Sequence, residues 1–159
     1  MRESTTEVVE VERRVQARPE TVFSYLVDPE KFRQWQGVDA ELDARPGGSF
    51  RTTITGRNRV VLRGEYLEVD PPRRIVLTWG WEPGPGLPPG AADVPVGAST
   101  VEITLTADAD ATIVRVRHSG LRSDAARGFH TDGWNVSVDR LVIVAEGGDA
   151  GPNPLLDLW

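Results

Sequence analysis

Apolar and polar residues alternate along much of this chain, and where the alternation stops the apolar spacing lengthens to that of a helix. Val9, Val11 and Val15 share one parity among charged neighbours, which predicts a first strand within residues 6–17. Pro19 then opens a helix, because the N–H it lacks would be unpaired in a first turn anyway. Val22, Phe23, Leu26 and Val27 give that helix an apolar stripe. Asp28-Pro29 ends it and starts another, with Phe32 and Trp35 three apart. Short strands follow at 39–44 and 49–55, separated by Arg45-Pro46-Gly47-Gly48, a turn whose glycines can take positive φ. A hairpin turn at 56–58 leads into a long strand at 59–69, and 70–73 is the next turn. Residues 74–81 alternate cleanly, with Ile75, Leu77, Trp79 and Trp81 on one face.

Residues 82–98 are rich in Pro and Gly and are expected to hold no regular structure; a loop this long is usually functional or mobile. Alternation returns at 99–107, with Val101, Ile103 and Leu105 inward, and at 111–118, where Val114, Val116 and His118 share a face. A long helix is predicted over 123–146, striped by Phe129, Trp134, Val138, Leu141, Val142 and Ala145. Its start is expected to be soft, because Ser123 with Arg127 makes no capping box. Gly147-Gly148 stops it. The Pro-broken tail, 147–159, can fray, dock on the sheet or meet another subunit.

The order is β-α-α-β6-α, an α+β class with an antiparallel sheet joined by short turns. One face of that sheet is apolar, and the long C-terminal helix is the element able to cover it. With no repeat and no linker, residues 1–159 read as one domain, with its core at about 8–146.

Charge removes several functional classes. Lys and Arg number 18 against 24 Asp and Glu, a net charge of −6, so nothing here attracts nucleic acid or an anionic membrane. The chain has no cysteine, which excludes disulfides, thiolate metal sites and Cys nucleophiles. The polar start, MRESTTEVVEVERRV, has no apolar leader segment, and no window is apolar enough to span a bilayer. A cytoplasmic protein without membrane insertion is expected.

Several residue sets together resemble one superfamily. Val15-x-Ala17-x-Pro19-x-x-Val22-Phe23 and Asp28-Pro29 followed by Trp35 look like the start of START-like (SRPBCC) domains. Pro46-Gly47-Gly48-x-Phe50, then Gly64-x-Tyr66-Leu67-Glu68-Val69-x-Pro71-Pro72-Arg73-Arg74-Ile75-Val76-x-Thr78-Trp79, are similar to the branch related to the C-terminal domain of the Hsp90 ATPase activator. His118-Ser119-Gly120-Leu121 and His130-x-x-Gly133-Trp134-x-x-x-Val138-x-Arg140-Leu141 resemble its last strand and helix, with Val138 where the family often has Leu. The resemblance covers roughly residues 8–146. It implies a helix-grip fold, in which a curved sheet wraps the C-terminal helix around a cavity, and a membership that includes lipid and polyketide binders, aromatase/cyclases and a co-chaperone. Fold alone therefore leaves function open.

Trp79 and Trp81 on an inward strand face, and Trp134 on an inward helix face, are three of five tryptophans. They read either as plain core or, with Phe50 and Val138, as the lining of a cavity. His118 and His130 are the two histidines, and His130 lies four residues before Trp134, on the same helix face. Each reads as a satisfied structural histidine, as a polar anchor for a ligand carbonyl or hydroxyl, or as a general acid/base if there is chemistry. No third ligand stands at helical spacing and there is no His-Glu-x-x-His, so no metal is expected; no P-loop or Gly-x-Gly-x-x-Gly occurs, so neither is a nucleotide cofactor. Arg63, Glu65 and Arg115 lie inside strands, where a solvated face is the reading favoured over a buried anion anchor. For 59–69 the inward face is either Val61, Leu67 and Val69 with Arg63 and Glu65, or Val60, Leu62 and Tyr66, and a bulge could switch between them. The expected site is Phe50, Trp79, Trp81, His118, His130, Trp134 and Val138, for a lipid, polyketide or similar small hydrophobic molecule. A cyclase/aromatase and an Hsp90-activator-like interaction module are the alternatives, and a homodimer is a further candidate assembly.

Overall fold

The computed structural model describes residues 7–158. Its strands are β1 (Val9–Val15), β2 (Asp39–Leu42), β3 (Ser49–Thr55), β4 (Arg59–Asp70), β5 (Arg74–Trp81), β6 (Ser99–Asp108) and β7 (Ala111–Ser119). Helices α1 (Pro19–Val27) and α2 (Pro29–Gln36) lead from β1 to β2; a short α3 (Pro89–Ala92) lies between β5 and β6, and α4 (Asp124–Ala145) follows β7. A 3-10 turn, Pro154–Leu158, ends the described chain. The strands form one curved antiparallel sheet in the order β1-β7-β6-β5-β4-β3-β2, the helix-grip arrangement. Strands β2 to β7 are successive neighbours, joined by short turns except between β5 and β6, where residues 82–98 intervene, and β1 joins the far edge by pairing with β7.

The alternation becomes burial directly. Ile75, Leu77, Trp79 and Trp81 of β5, Val101, Ile103 and Leu105 of β6, and Val114, Val116 and His118 of β7 are all buried. Trp134, Val138, Leu141 and Val144 of α4 join the same core, and α4 packs on β1 and on the three shorter helices. On β4 both candidate phases occur in turn. Val60, Leu62 and Tyr66 are buried and join the core, with Arg63 and Glu65 facing out. The register then slips: Tyr66 stands opposite Leu77, Glu68 opposite Val76 and Val69 opposite Ile75. That bulge turns Val69 towards the core. The outward charges are paired at the surface, Arg63 with Glu82 at 2.7 Å and Arg115 with Glu10 at 3.1 Å, so the solvated face holds.

Two expectations need correction. Residues 82–98 are not free of regular structure, because they contain α3, started by Pro89 in the first turn. The segment also packs: Ala91 and Val94 are buried, and the Trp81 N–H donates to the Val94 carbonyl at 2.8 Å. Gly80 allows this approach, since a Cβ there would lie 2.1 Å from the Pro95 oxygen. The start of α4 is not soft either. Ser123 is its N-cap, and its hydroxyl accepts from the Ala126 N–H at 3.0 Å. The motif that matters there is the single capping hydroxyl, which needs no partner at Arg127.

The tail docks, though on helices instead of the sheet. Arg140, buried on α4, donates to the carbonyls of Trp35 (2.7 Å), Ala150 (3.0 Å), Gly151 (2.8 Å) and Pro152 (3.1 Å). The Asn153 side-chain amide donates to the Gln36 carbonyl at 2.8 Å. The C-terminal carbonyls of α2, which a helix leaves unpaired, thereby become the mooring of the tail. Among the described residues no helix is long and apolar enough to cross a membrane, and no cluster of three or more His, Cys, Asp or Glu is placed to hold a metal ion.

Candidate ligand-binding site

Between the inner sheet face and α4 lies a cavity of about 80 Å³. Strand β3 contributes Phe50, Thr52 and Ile54, which alternation places on one face. Strand β5 contributes Trp79 and Trp81, and α4 contributes Phe129, His130 and Trp134. Phe32 and Gln36 of α2 form a further wall, and Leu155 and Leu156 of the tail complete it. A smaller space of about 20 Å³ lies alongside, lined by Tyr66, Leu77, Val101 and Ile103. Phe32, Gln36, Phe50, Trp79 and Trp134 line both spaces.

The aromatic rings are locked against one another. Trp79 stacks on Phe50 at 5.8 Å, meets Trp134 at 5.0 Å and meets Trp81 edge-on at 6.5 Å. Such pairs add about 1 kcal/mol each beyond the area they bury. The histidines fix the other two indoles. Trp134 Nε1–H donates to His118 Nδ1 at 3.0 Å, so that nitrogen is unprotonated. The proton of the neutral ring then sits on Nε2, which donates to the Ser99 hydroxyl at 2.8 Å, and Ser99 donates to the Trp79 carbonyl at 2.7 Å. His130 has the opposite tautomer: Nδ1–H donates to the Ala126 carbonyl at 2.7 Å, and Nε2 accepts from Trp81 Nε1–H at 3.2 Å. Burial holds both imidazoles neutral. It pushes His118 well below the usual range, with His130 adding to the effect, and His130 down to about 4.

Of the residues expected at the site, Phe50, Trp79, Trp81, His130 and Trp134 come together on the cavity wall. His118 and Val138 are buried behind it. Sequence reasoning missed Thr52 and Ile54, though their parity with Phe50 was a usable signal. It also missed Gln36 and the tail leucines, for which no local pattern exists.

A family model described as "Activator of Hsp90 ATPase homolog 1-like protein" matches residues 16–146, most of the sheet, α1, α2 and α4. The chain belongs to that family. It is thus a member of the START-like superfamily, and its family fold is the helix-grip seen here. Solved structures agree. DynU16, a protein of the dynemicin biosynthetic locus, is 25% identical with a TM-score of 0.74; the match covers 91% of this chain and 49% of DynU16, so this chain spans about half of that protein's length. MLL2253 from Mesorhizobium loti is 27% identical with a TM-score of 0.68, over 85% of this chain and 93% of that one. CalU16 from Micromonospora echinospora, 24% identical with a TM-score of 0.67 over 88% and 76%, shares the fold. No curated protein matches the sequence.

Proposed function

We propose that this member of the activator of Hsp90 ATPase homolog 1-like family binds a small apolar molecule in the cavity between its sheet and α4. The observation that carries this reading is the cavity itself, about 80 Å³ walled by Phe50, Trp79, Trp81 and Trp134. Apolar walls with a few fixed polar groups are how small-molecule sites are built. A neighbour from a biosynthetic locus, DynU16, is in keeping with a small organic ligand. A cyclase-type reaction draws less support, because His130 on the wall has both ring nitrogens engaged and stays neutral. A protein-interaction module draws less as well: the exposed large hydrophobics among the described residues, Leu67, Val96 and Ile143, stand on three different segments.

Three tryptophans on one cavity make the test direct. Titration with toluene, indole and naphthalene is expected to change tryptophan emission saturably. Ligand at a hundred times its Kd should add about 2.7 kcal/mol of stability, visible as a higher Tm. If no compound in a broad apolar set alters emission or Tm, the binding reading is wrong.

A further inference from the structure

Two buried hydrogen-bond donors in the core meet no acceptor among the described residues: the Tyr66 hydroxyl and Trp79 Nε1–H. Tyr66 is 1% exposed and Trp79 8%. Native proteins seldom leave such groups unmatched, so a pair in one place calls for an explanation. Both residues line the smaller space beside the main cavity. At about 20 Å³, that space admits one water-sized group, since about 10–15 Å³ is the minimum for a water.

Chemistry narrows the occupant. Indole N–H only donates, and burial pushes the Tyr66 phenol up, with Asp43 adding to the effect, so it keeps its proton. Two donors on residues that line one atom-sized space match an oxygen with two lone pairs. The donors are also held in place. Tyr66 is pinned by its backbone to the glycine turn, accepting from Gly47 N–H at 2.8 Å and donating to the Gly48 carbonyl at 2.9 Å. Trp79 packs against both Phe50 and Trp134. Of the other polar groups on the shared wall, the Trp134 N–H donates to His118 and the Gln36 Oε1 accepts from the Ser137 hydroxyl at 3.4 Å.

We infer that the ligand is an aromatic carbonyl compound, its ring in the larger space and its oxygen seated between the Tyr66 hydroxyl and the Trp79 N–H. This rests on the binding reading above and adds the chemical class. In the ligand-free protein a single water fits the same seat. An aryl ketone replaces that water without losing its hydrogen bonds.

Acetophenone and ethylbenzene, alike in shape and differing in the carbonyl, test the seat in the full-length protein. Kd for each is measured in the wild type and in Tyr66→Phe. Acetophenone should weaken about tenfold relative to ethylbenzene in the variant, the worth of one hydrogen bond. The infrared carbonyl stretch of bound acetophenone should lie below its value in alkane, and this measurement on the wild type needs no variant. If both compounds bind, with the Kd ratio unchanged by the substitution and an alkane-like stretch, the seat is refuted while the cavity stands. Binding of ethylbenzene alone also refutes it. If neither binds, the seat falls together with the binding reading.

Discussion

His118 and His130 face each other with ring centroids 4.9 Å apart, and each spends one nitrogen on a tryptophan and the other on an oxygen. They act as braces that set the angle of the Trp134 and Trp81 indoles. This has a consequence for stability. Unfolded histidine takes a proton below about pH 6.5, whereas folded His130 resists it down to about 4. A depressed folded pKa means the contribution is complete above pH 6.5 and is lost as pH falls from there towards 4. For His130 the loss between pH 7.5 and pH 5 should be roughly 2 kcal/mol. Urea unfolding of the wild type and of His130→Gln at those two pH values measures it. Surface carboxylates titrate in both proteins, so the wild type should lose that much more than the variant. Parallel pH dependence would show that the ring is not held neutral.

At the scale of elements, the chain's departures from simple patterning have local causes. The bulge between Tyr66 and Glu68 lets one strand serve two phases. The segment after β5 takes over at the end of that strand, where β6 has yet to begin, and Pro95 bridges to Trp81 in parallel. Gly90 makes room for the same segment against α4, since a Cβ there would stand 2.3 Å from the Phe129 Cβ. The Pro/Gly-rich composition therefore serves close packing. Gly80→Ala should force the Pro95 backbone away from β5. The expected outcome is faster limited proteolysis within 82–98 and a stability loss of about 1–3 kcal/mol. Unchanged cleavage would mean that this segment is held by other contacts. The strands themselves were legible because alternation is a property of one element at a time. The single turn of α3 was not, because four residues carry too little period and their helical form depends on neighbours.

For the whole molecule, Arg140 ties three distant parts of the chain together, joining α4 to the end of α2 and to the tail that supplies Leu155 and Leu156 to the cavity. Charged side chains in strands drew notice in the sequence, yet the buried arginine is on a helix and its partners are carbonyls. Arg140→Met keeps an apolar stem and removes every donor. It should cost roughly 2–4 kcal/mol by leaving buried carbonyls unmatched. It should also speed amide exchange at Gly151 and Leu155, whose N–H groups bond to Asp149 and Asn153 side chains in the docked tail. Protection equal to the wild type at those amides would show that the tail is held without Arg140.

Periodicity within single segments set the order of the strands and longer helices, the inward faces of β5 and α4, and so the presence of Trp79, Trp81 and Trp134 on one interior. Each of these follows from a period of two or 3.6 residues read within one segment. Tertiary structure alone decided what those side chains meet. The Trp81–His130 bond spans 49 residues and the Arg140–Trp35 bond 105, distances at which no local pattern carries information. It also decided that both histidines have no nitrogen to spare while the Tyr66 hydroxyl and the Trp79 N–H do have a hydrogen to give. Hydrogen-bond satisfaction is settled by packing between elements, and a donor left over is visible only once every neighbour is in place.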